Sequence, residues 1–185
     1  MKFLLIYAHP SSDSFNHALF RCTREALEAA GHEVRVHDLY AMDFNPVLPA
    51  EELGGPSAEI KALQADISWA DRLFFTYPIW WYGRPAMLQG YIDRVFSYGF
   101  AYTSGPKGLL TQDKALVFQT TGLPQETYSG AGDLTIHHAM GPGTLELCGV
   151  KDVKIHTFYA VSKAGDETRQ KMLEEAKQLA AAFAA

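Results

Sequence analysis

The run Phe3-Leu4-Leu5-Ile6-Tyr7-Ala8 is nearly continuously apolar, and it constrains the fold more than any other feature of the chain. A half-exposed antiparallel strand alternates apolar with polar residues. An unbroken apolar run of this length suits a parallel strand covered on both faces. The residues that follow can supply the cover. Ser14 can cap a helix in which Phe15, Ala18, Leu19, Cys22, Ala26 and Leu27 fall at helical spacings, with Gly31 at its end. Val34-Arg35-Val36-His37 then reads as a second strand, so the chain opens as a βαβ unit.

The alternation continues. Tyr40 to Ser57 carries Pro46, Pro49, Gly54, Gly55 and Pro56 and reads as a long surface connection. A helix follows over Glu59 to Ser68, and a third strand over Arg72 to Thr76. Pro85 can start a helix with Met87, Leu88, Tyr91, Ile92, Val95 and Phe96 on its apolar side. Gly99 to Lys107 is loop-like, Ala115 to Gln119 is a fourth strand, and Gly122 to Gly132 is a second long loop. A helix over parts of Leu134 to Cys148, a fifth strand over Val153 to Phe158 and a terminal helix over Glu167 to Phe183 complete the pattern. Five short apolar strands alternating with helices predict a doubly wound α/β sheet, in one domain over residues 1–185.

Composition narrows the partners. Sixteen Lys plus Arg against 21 Asp plus Glu give a formal charge of -5, with no long block of like charge. Neither a nucleic-acid groove nor an anionic membrane surface is expected. Residues 1–8 are too short for a secretory segment, and no apolar run reaches the length of a membrane span. Cys22 and Cys148 lie far apart and in no metal-like pair, which fits buried thiols in a reducing, cytoplasmic chain.

The candidate binding residues fall at strand ends. Phe74-Phe75-Thr76-Tyr77 stops at Pro78-Ile79-Trp80-Trp81-Tyr82-Gly83-Arg84-Pro85, three contiguous aromatics between two prolines. Such a loop is stiff and flat-walled, suited to a planar cofactor, although aromatics serve equally in a core or a dimer interface. His9-Pro10-Ser11-Ser12-Asp13-Ser14 follows the first strand, where hydroxyls and the amides opening the next helix favour a phosphate; a simple Ser14 cap is the alternative. Thr120-Thr121-Gly122 follows the fourth. Open α/β sheets bind ligands outside the carboxyl ends of their strands, where all three groups lie. No GxGxxG turn, GxxxxGK[ST] loop or GxSxG elbow occurs. His137 and His138 are adjacent and cannot face the same way from a helix, so they make a poor metal pair. Asp93 and Arg94 read as helix-surface or interface charges.

Taken in order, His9 with Ser14-Phe15-Asn16, Pro78-Ile79-Trp80-Trp81-Tyr82-Gly83 with Pro85, Asp93-Arg94-Val95-Phe96 with Gly99-Phe100-Ala101-Tyr102, and Thr120-Thr121-Gly122 with Tyr128 resemble the flavin-dependent NAD(P)H:quinone oxidoreductases, in particular their bacterial short-chain members. The resemblance implies a flavodoxin-like fold with strand order 2-1-3-4-5. It implies that His9, Ser14, Phe15 and Asn16 hold the flavin phosphate and ribityl end. Pro78, Ile79, Trp80, Trp81 and Tyr82 would form the isoalloxazine loop, and Thr120, Thr121 and Gly122 would cradle the pyrimidine side. It points to FMN, with FAD as the alternative because Arg169 stands where FAD-binding members contact the adenosine part.

In the family a tyrosine and a histidine on the last loop assist charge development during hydride transfer. Tyr128 matches the tyrosine. The histidine is missing from Ser129-Gly130-Ala131-Gly132-Asp133, so either the role is absent or His137 or His138 reaches in. The implied activity is a ping-pong transfer of two electrons from NAD(P)H through the flavin to a quinone or similar acceptor, in a homodimer with its sites at the interface. An azo- or nitro-compound reductase, and a flavin-containing regulatory subunit of a membrane transport system, are the alternatives.

Overall fold

A computed structural model describes every residue except Pro106 and the side chain of Asp133. The first helix ends where glycine permits it. Helix α1 (Phe15–Ala29) follows strand β1 (Lys2–Tyr7), and Gly31 adopts φ +80° just before strand β2 (Glu33–Asp38). The two strands run parallel in register from Lys2↔Glu33 to Tyr7↔Asp38. The remaining elements are α2 (Ala58–Trp69), β3 (Arg72–Pro78), α3 (Ala86–Val95), β4 (Lys114–Thr120), α4 (Ala131–His138), β5 (Asp152–Phe158) and α5 (Asp166–Ala184). The strands form one parallel sheet in the order β2-β1-β3-β4-β5.

Each central strand buries both faces, which is why its sequence does not alternate. All seven residues of β3 are buried. On one side Leu4, Ile6, Leu73 and Phe75 pack under α2, α3 and α4; on the other Phe3, Leu5, Phe74 and Phe118 pack under α1 and α5. Phe74 meets Phe118 edge-on with ring centroids 4.9 Å apart, and truncating a phenylalanine so enclosed costs about 3–5 kcal/mol. Both cysteines are free and buried. Among the described residues no helix is long and apolar enough to cross a membrane, and no cluster of potential metal ligands occurs.

Three segments differ from the sequence reading. The connection before α2 is not wholly at the surface. Phe44 is buried in it, and a short 3-10 turn at Ala50–Gly54 presents Glu52 to the guanidinium of Arg94. Arg94 is therefore an interior cation rather than a surface charge, since the connection folds back over α3 and excludes water from the pair. The backbone of Pro46 approaches Gly90 so closely that a Cβ there would lie 2.1 Å from the Pro46 carbonyl oxygen. Finally, the single helix expected within residues 134–148 is two pieces. Helix α4 starts earlier, inside the second long loop, and a π-helical turn follows at Gly141–Glu146.

Candidate functional site

The chain order reverses between β1 and β3, and the carboxyl ends of β1, β3 and β4 open there into a cavity of about 730 Å³. His9, Ser14, Phe15 and Asn16 line it from the β1–α1 turn. Pro78, Ile79, Trp80 and Trp81 come from the end of β3 and its loop, and Thr120, Gly122 and Tyr128 from the region after β4. Eleven of the thirteen residues singled out in the sequence thus share one cavity; Tyr82 and Thr121 stand outside its lining.

The phosphate-like end is built from α1. The Ser14 hydroxyl accepts from the His17 amide (3.1 Å) and donates to the Ser11 carbonyl (2.8 Å), so it is committed to capping. Anion binding there falls to the amides of the first turn, which have no acceptor inside the helix. His9 Nδ1 lies 3.1 Å from the Ser11 amide. Nδ1 also lies 3.2 Å from the Ser11 carbonyl; when it accepts from the amide, the proton of the neutral ring sits on Nε2, and when the ring is protonated Nδ1 can donate to the carbonyl, a pull that opposes the lowering of the His9 pKa by burial.

Asn16 is 4% exposed. Its Nδ2 donates to Thr120 Oγ1 at 2.8 Å, joining α1 to the end of β4, while its Oδ1 is buried without a partner in the chain. A buried acceptor left unpaired costs about 1–3 kcal/mol, so an oxygen of this kind in a cavity wall suits a ligand donor.

The aromatic wall has a demanding backbone. Trp80 and Gly83 exchange both backbone hydrogen bonds (3.0 and 2.9 Å), which makes Trp81 and Tyr82 the two central residues of a tight hairpin with φ of 51° and 58°. Such turns favour Asn-Gly; bulky side chains at positive φ cost about 1–3 kcal/mol each. The hairpin turns Trp81 out to 99% exposure and sends the Tyr82 ring onto Tyr128, with centroids 5.3 Å apart. Gly132 lets it fit, because a Cβ there would lie 3.0 Å from the Tyr82 ring.

Tyr128 ends a 3-10 turn at Gln125–Tyr128 and is enclosed by Tyr82 and by Tyr159 (6.0 Å). Burial, and then the nearby Tyr82 phenol, raise its pKa, so it is a proton donor across the ordinary pH range. Thr121 is buried, but its Oγ1 donates to the Leu123 carbonyl (2.7 Å) and shapes the loop from within.

Neither histidine of α4 lines the cavity. His137 Nε2 lies 2.9 Å from Thr157 Oγ1, in a separate hollow beside β5, and His138 lies near Pro142. Arg169, which the resemblance set at the adenosine side, lines the cavity, and residues that the sequence reading did not place in the site also contribute: Asp13 beside the phosphate-like end, Leu123, and Val161 and Ser162 after β5. Ser162 Oγ donates to the Gly122 carbonyl (3.0 Å), and Arg169 Nη2 donates to the Val161 carbonyl (3.2 Å) while its Nε is unpaired. The signal for them was topological, since β5 ends on the same edge of the sheet as β4.

Known proteins with this architecture are similar along the whole chain. A family model described as a flavodoxin-like fold matches residues 1–182. An uncharacterized NAD(P)H oxidoreductase of Haemophilus influenzae is 35% identical over 188 residues, covering 96% of this chain and 93% of that one. NAD(P)H dehydrogenase [quinone] 1 of Cavia porcellus is 33% identical, over 92% of this chain and 72% of its own. The solved structure of an NAD(P)H:quinone oxidoreductase from Methanothermobacter marburgensis superposes with a TM-score of 0.91 at 30% identity, covering 100% of this chain and 98% of that one. With that fold, that sheet order and relatives of this extent, the chain belongs to the NAD(P)H:quinone oxidoreductase family of flavodoxin-like proteins.

Proposed function

We propose that the chain is an oxidoreductase that takes hydride from NAD(P)H and reduces a quinone or similar planar acceptor, using FMN held in the cavity at the ends of β1, β3 and β4. The observation that carries this reading is the unpaired, buried Oδ1 of Asn16, a residue that lines the cavity together with Ser14 and Phe15 of the α1 start and with Trp80. The donor set fits a flavin. The first-turn amides of α1 and His9 would suit its phosphate, Asn16 would face its polar chain, and Pro78, Ile79 and Trp80 would give its ring an apolar face. Thr120 and Gly122 stand ready for the pyrimidine edge. FMN is favoured because, among the described residues that line the cavity, the start of α1 is the one phosphate cradle; Arg169 is the lining guanidinium through which FAD remains the alternative.

When bound, the flavin would supply acceptance of hydride from one substrate and its delivery to the next. The protein's part is to hold, orient and shield. Asn16 and Thr120 tie α1 to β4, so the cradle and the ring wall are fixed relative to each other. Tyr128 keeps its proton and can donate to negative charge that develops beside it. Tyr82 holds Tyr128 in place, and Thr121 holds the loop that bears Gly122. His137 takes no part, being engaged by Thr157 beside β5. Two buried thiols agree with a cytoplasmic setting.

Reconstitution with FMN and with FAD tests the reading. A stoichiometric yellow complex with at least one, bleached by NAD(P)H and restored by a quinone, is expected. Failure to bind either flavin refutes it.

A further inference from the structure

Arg84 leaves the hairpin directly after Gly83, and its surroundings are unusual for a cation. Nε donates to Gln89 Oε1 (3.0 Å) in α3, and Nη1 donates to Thr144 Oγ1 (3.0 Å) and lies 3.4 Å from Met140 Sδ. All three partners are neutral. Among the described residues no carboxylate forms an ion pair with it; Asp93 is reached only through Gln89, whose Nε2 donates to Asp93 Oδ1 (2.7 Å). Burial accordingly pulls the guanidinium below its ordinary pKa, with Tyr77 and Asp93 partly opposing. The side chain is half-buried, and even partial desolvation of a charge against neutral acceptors alone carries a cost that a neutral side chain in the same place would not.

Geometry gives the cation a use. A strained backbone persists only where its surroundings over-determine it, and the entry to the hairpin is tied to the sheet by the Ile79 amide donating to the Thr120 carbonyl (2.8 Å). Among the described residues the exit has no such backbone tie to the sheet. Arg84 stands at that exit with a planar fork, reaching α3 with one arm and the π-helical turn Gly141–Glu146 with the other. That turn is itself set by Thr144, whose Oγ1 donates to the Ala139 carbonyl (2.7 Å).

We propose that Arg84 is a positioning residue of the aromatic wall: its fork ties the exit of the Trp80–Gly83 hairpin to α3 and to Thr144, and so holds Trp81 and Tyr82 in their left-handed conformation. Through Tyr82 the same tie keeps Tyr128 seated. The link to the cofactor rests on the flavin reading of the cavity; the link to hairpin order does not.

Hydrogen–deuterium exchange of the flavin-free chain, read over residues 78–86, separates the two. In Arg84→Met the Trp80 and Gly83 amides that close the hairpin are expected to exchange roughly tenfold faster, with no matching change in β1 or α1. The FMN dissociation constant should rise in the same variant. Arg84→Lys keeps a charge without the fork and should recover slow exchange only in part; full recovery would overturn the fork as the cause. Unchanged exchange in Arg84→Met, or acceleration spread evenly through the chain, overturns the proposal. Should Arg84→Met fail to fold, Gln89→Met removes the Nε acceptor, together with an exposed hydrogen bond to Asp93, and carries the same local expectation. A wild-type chain that binds no flavin would refute the cofactor reading while the exchange result still decides the role of Arg84.

Discussion

Removing Glu52 tests the interior ion pair that holds the long connection against α3. Both carboxylate oxygens of Glu52 are bound by Arg94, at 2.8 Å from Nε and 2.7 Å from Nη2, and the two side chains are only 6% and 4% exposed. These hydrogen bonds first, then those from Ser57 and the Arg94 charge, hold the Glu52 carboxyl down at about 2 from its ordinary 4.5, against the opposing effect of burial. A carboxylate so depressed contributes roughly 3 kcal/mol at neutral pH. In Glu52→Ala the guanidinium would keep the Asn45 carbonyl and a looser contact with the exposed Glu59 at 3.8 Å, so much of that contribution is lost. For a chain of this size the loss corresponds to a melting point lower by about 6–12 °C. The pH dependence follows from the sign. Because the folded-state value is depressed, the contribution is complete above the unfolded value of 4.5 and disappears as pH falls through about 2. Urea unfolding of wild type and variant should show a constant gap from pH 8 to 5, roughly halved by pH 3. A neutral-pH gap below about 1 kcal/mol, or one undiminished at pH 3, would refute the reasoning.

Tyr128→Phe should slow flavin reduction by NAD(P)H by about tenfold or less in stopped-flow experiments, with flavin content unchanged, because the ring stays packed against Tyr82 and Tyr159 while only the donor is lost. His137→Ala should leave that step at the wild-type rate, its ring being engaged beside β5; a large loss would return a histidine to the mechanism. We also expect a homodimer that covers the exposed rings of Trp81, Tyr98 and Tyr102, and light scattering that reports a monomer with flavin bound would count against it.

The fold was legible because burial on both sheet faces leaves a one-dimensional trace. Phe3 to Ala8 and Arg72 to Tyr77 cannot alternate when α1 and α5 cover one side and α2, α3 and α4 the other. The cavity residues His9, Trp80 and Thr120 were legible for a related reason: once strands are placed, their carboxyl ends are placed as well, whereas Asn16, inside α1, came from the family resemblance. What stayed hidden depends on contacts between distant segments or on backbone conformations without a residue signal. Arg94 looks like any helix-surface cation until Glu52, 42 residues earlier, is folded over it. Val161 and Ser162 belong to no motif and join the cavity only because β5 lies beside β4. Trp81 and Tyr82 show the second limit most clearly. An aromatic pair without glycine or asparagine is the last pair one would assign to a left-handed turn, yet that turn faces Tyr82 toward Tyr128 and Trp81 toward solvent. A local rule broken at this point marks a wall held in shape by its neighbours, and Arg84, Gly132 and Thr144 are the neighbours whose side chains, or lack of one, allow it.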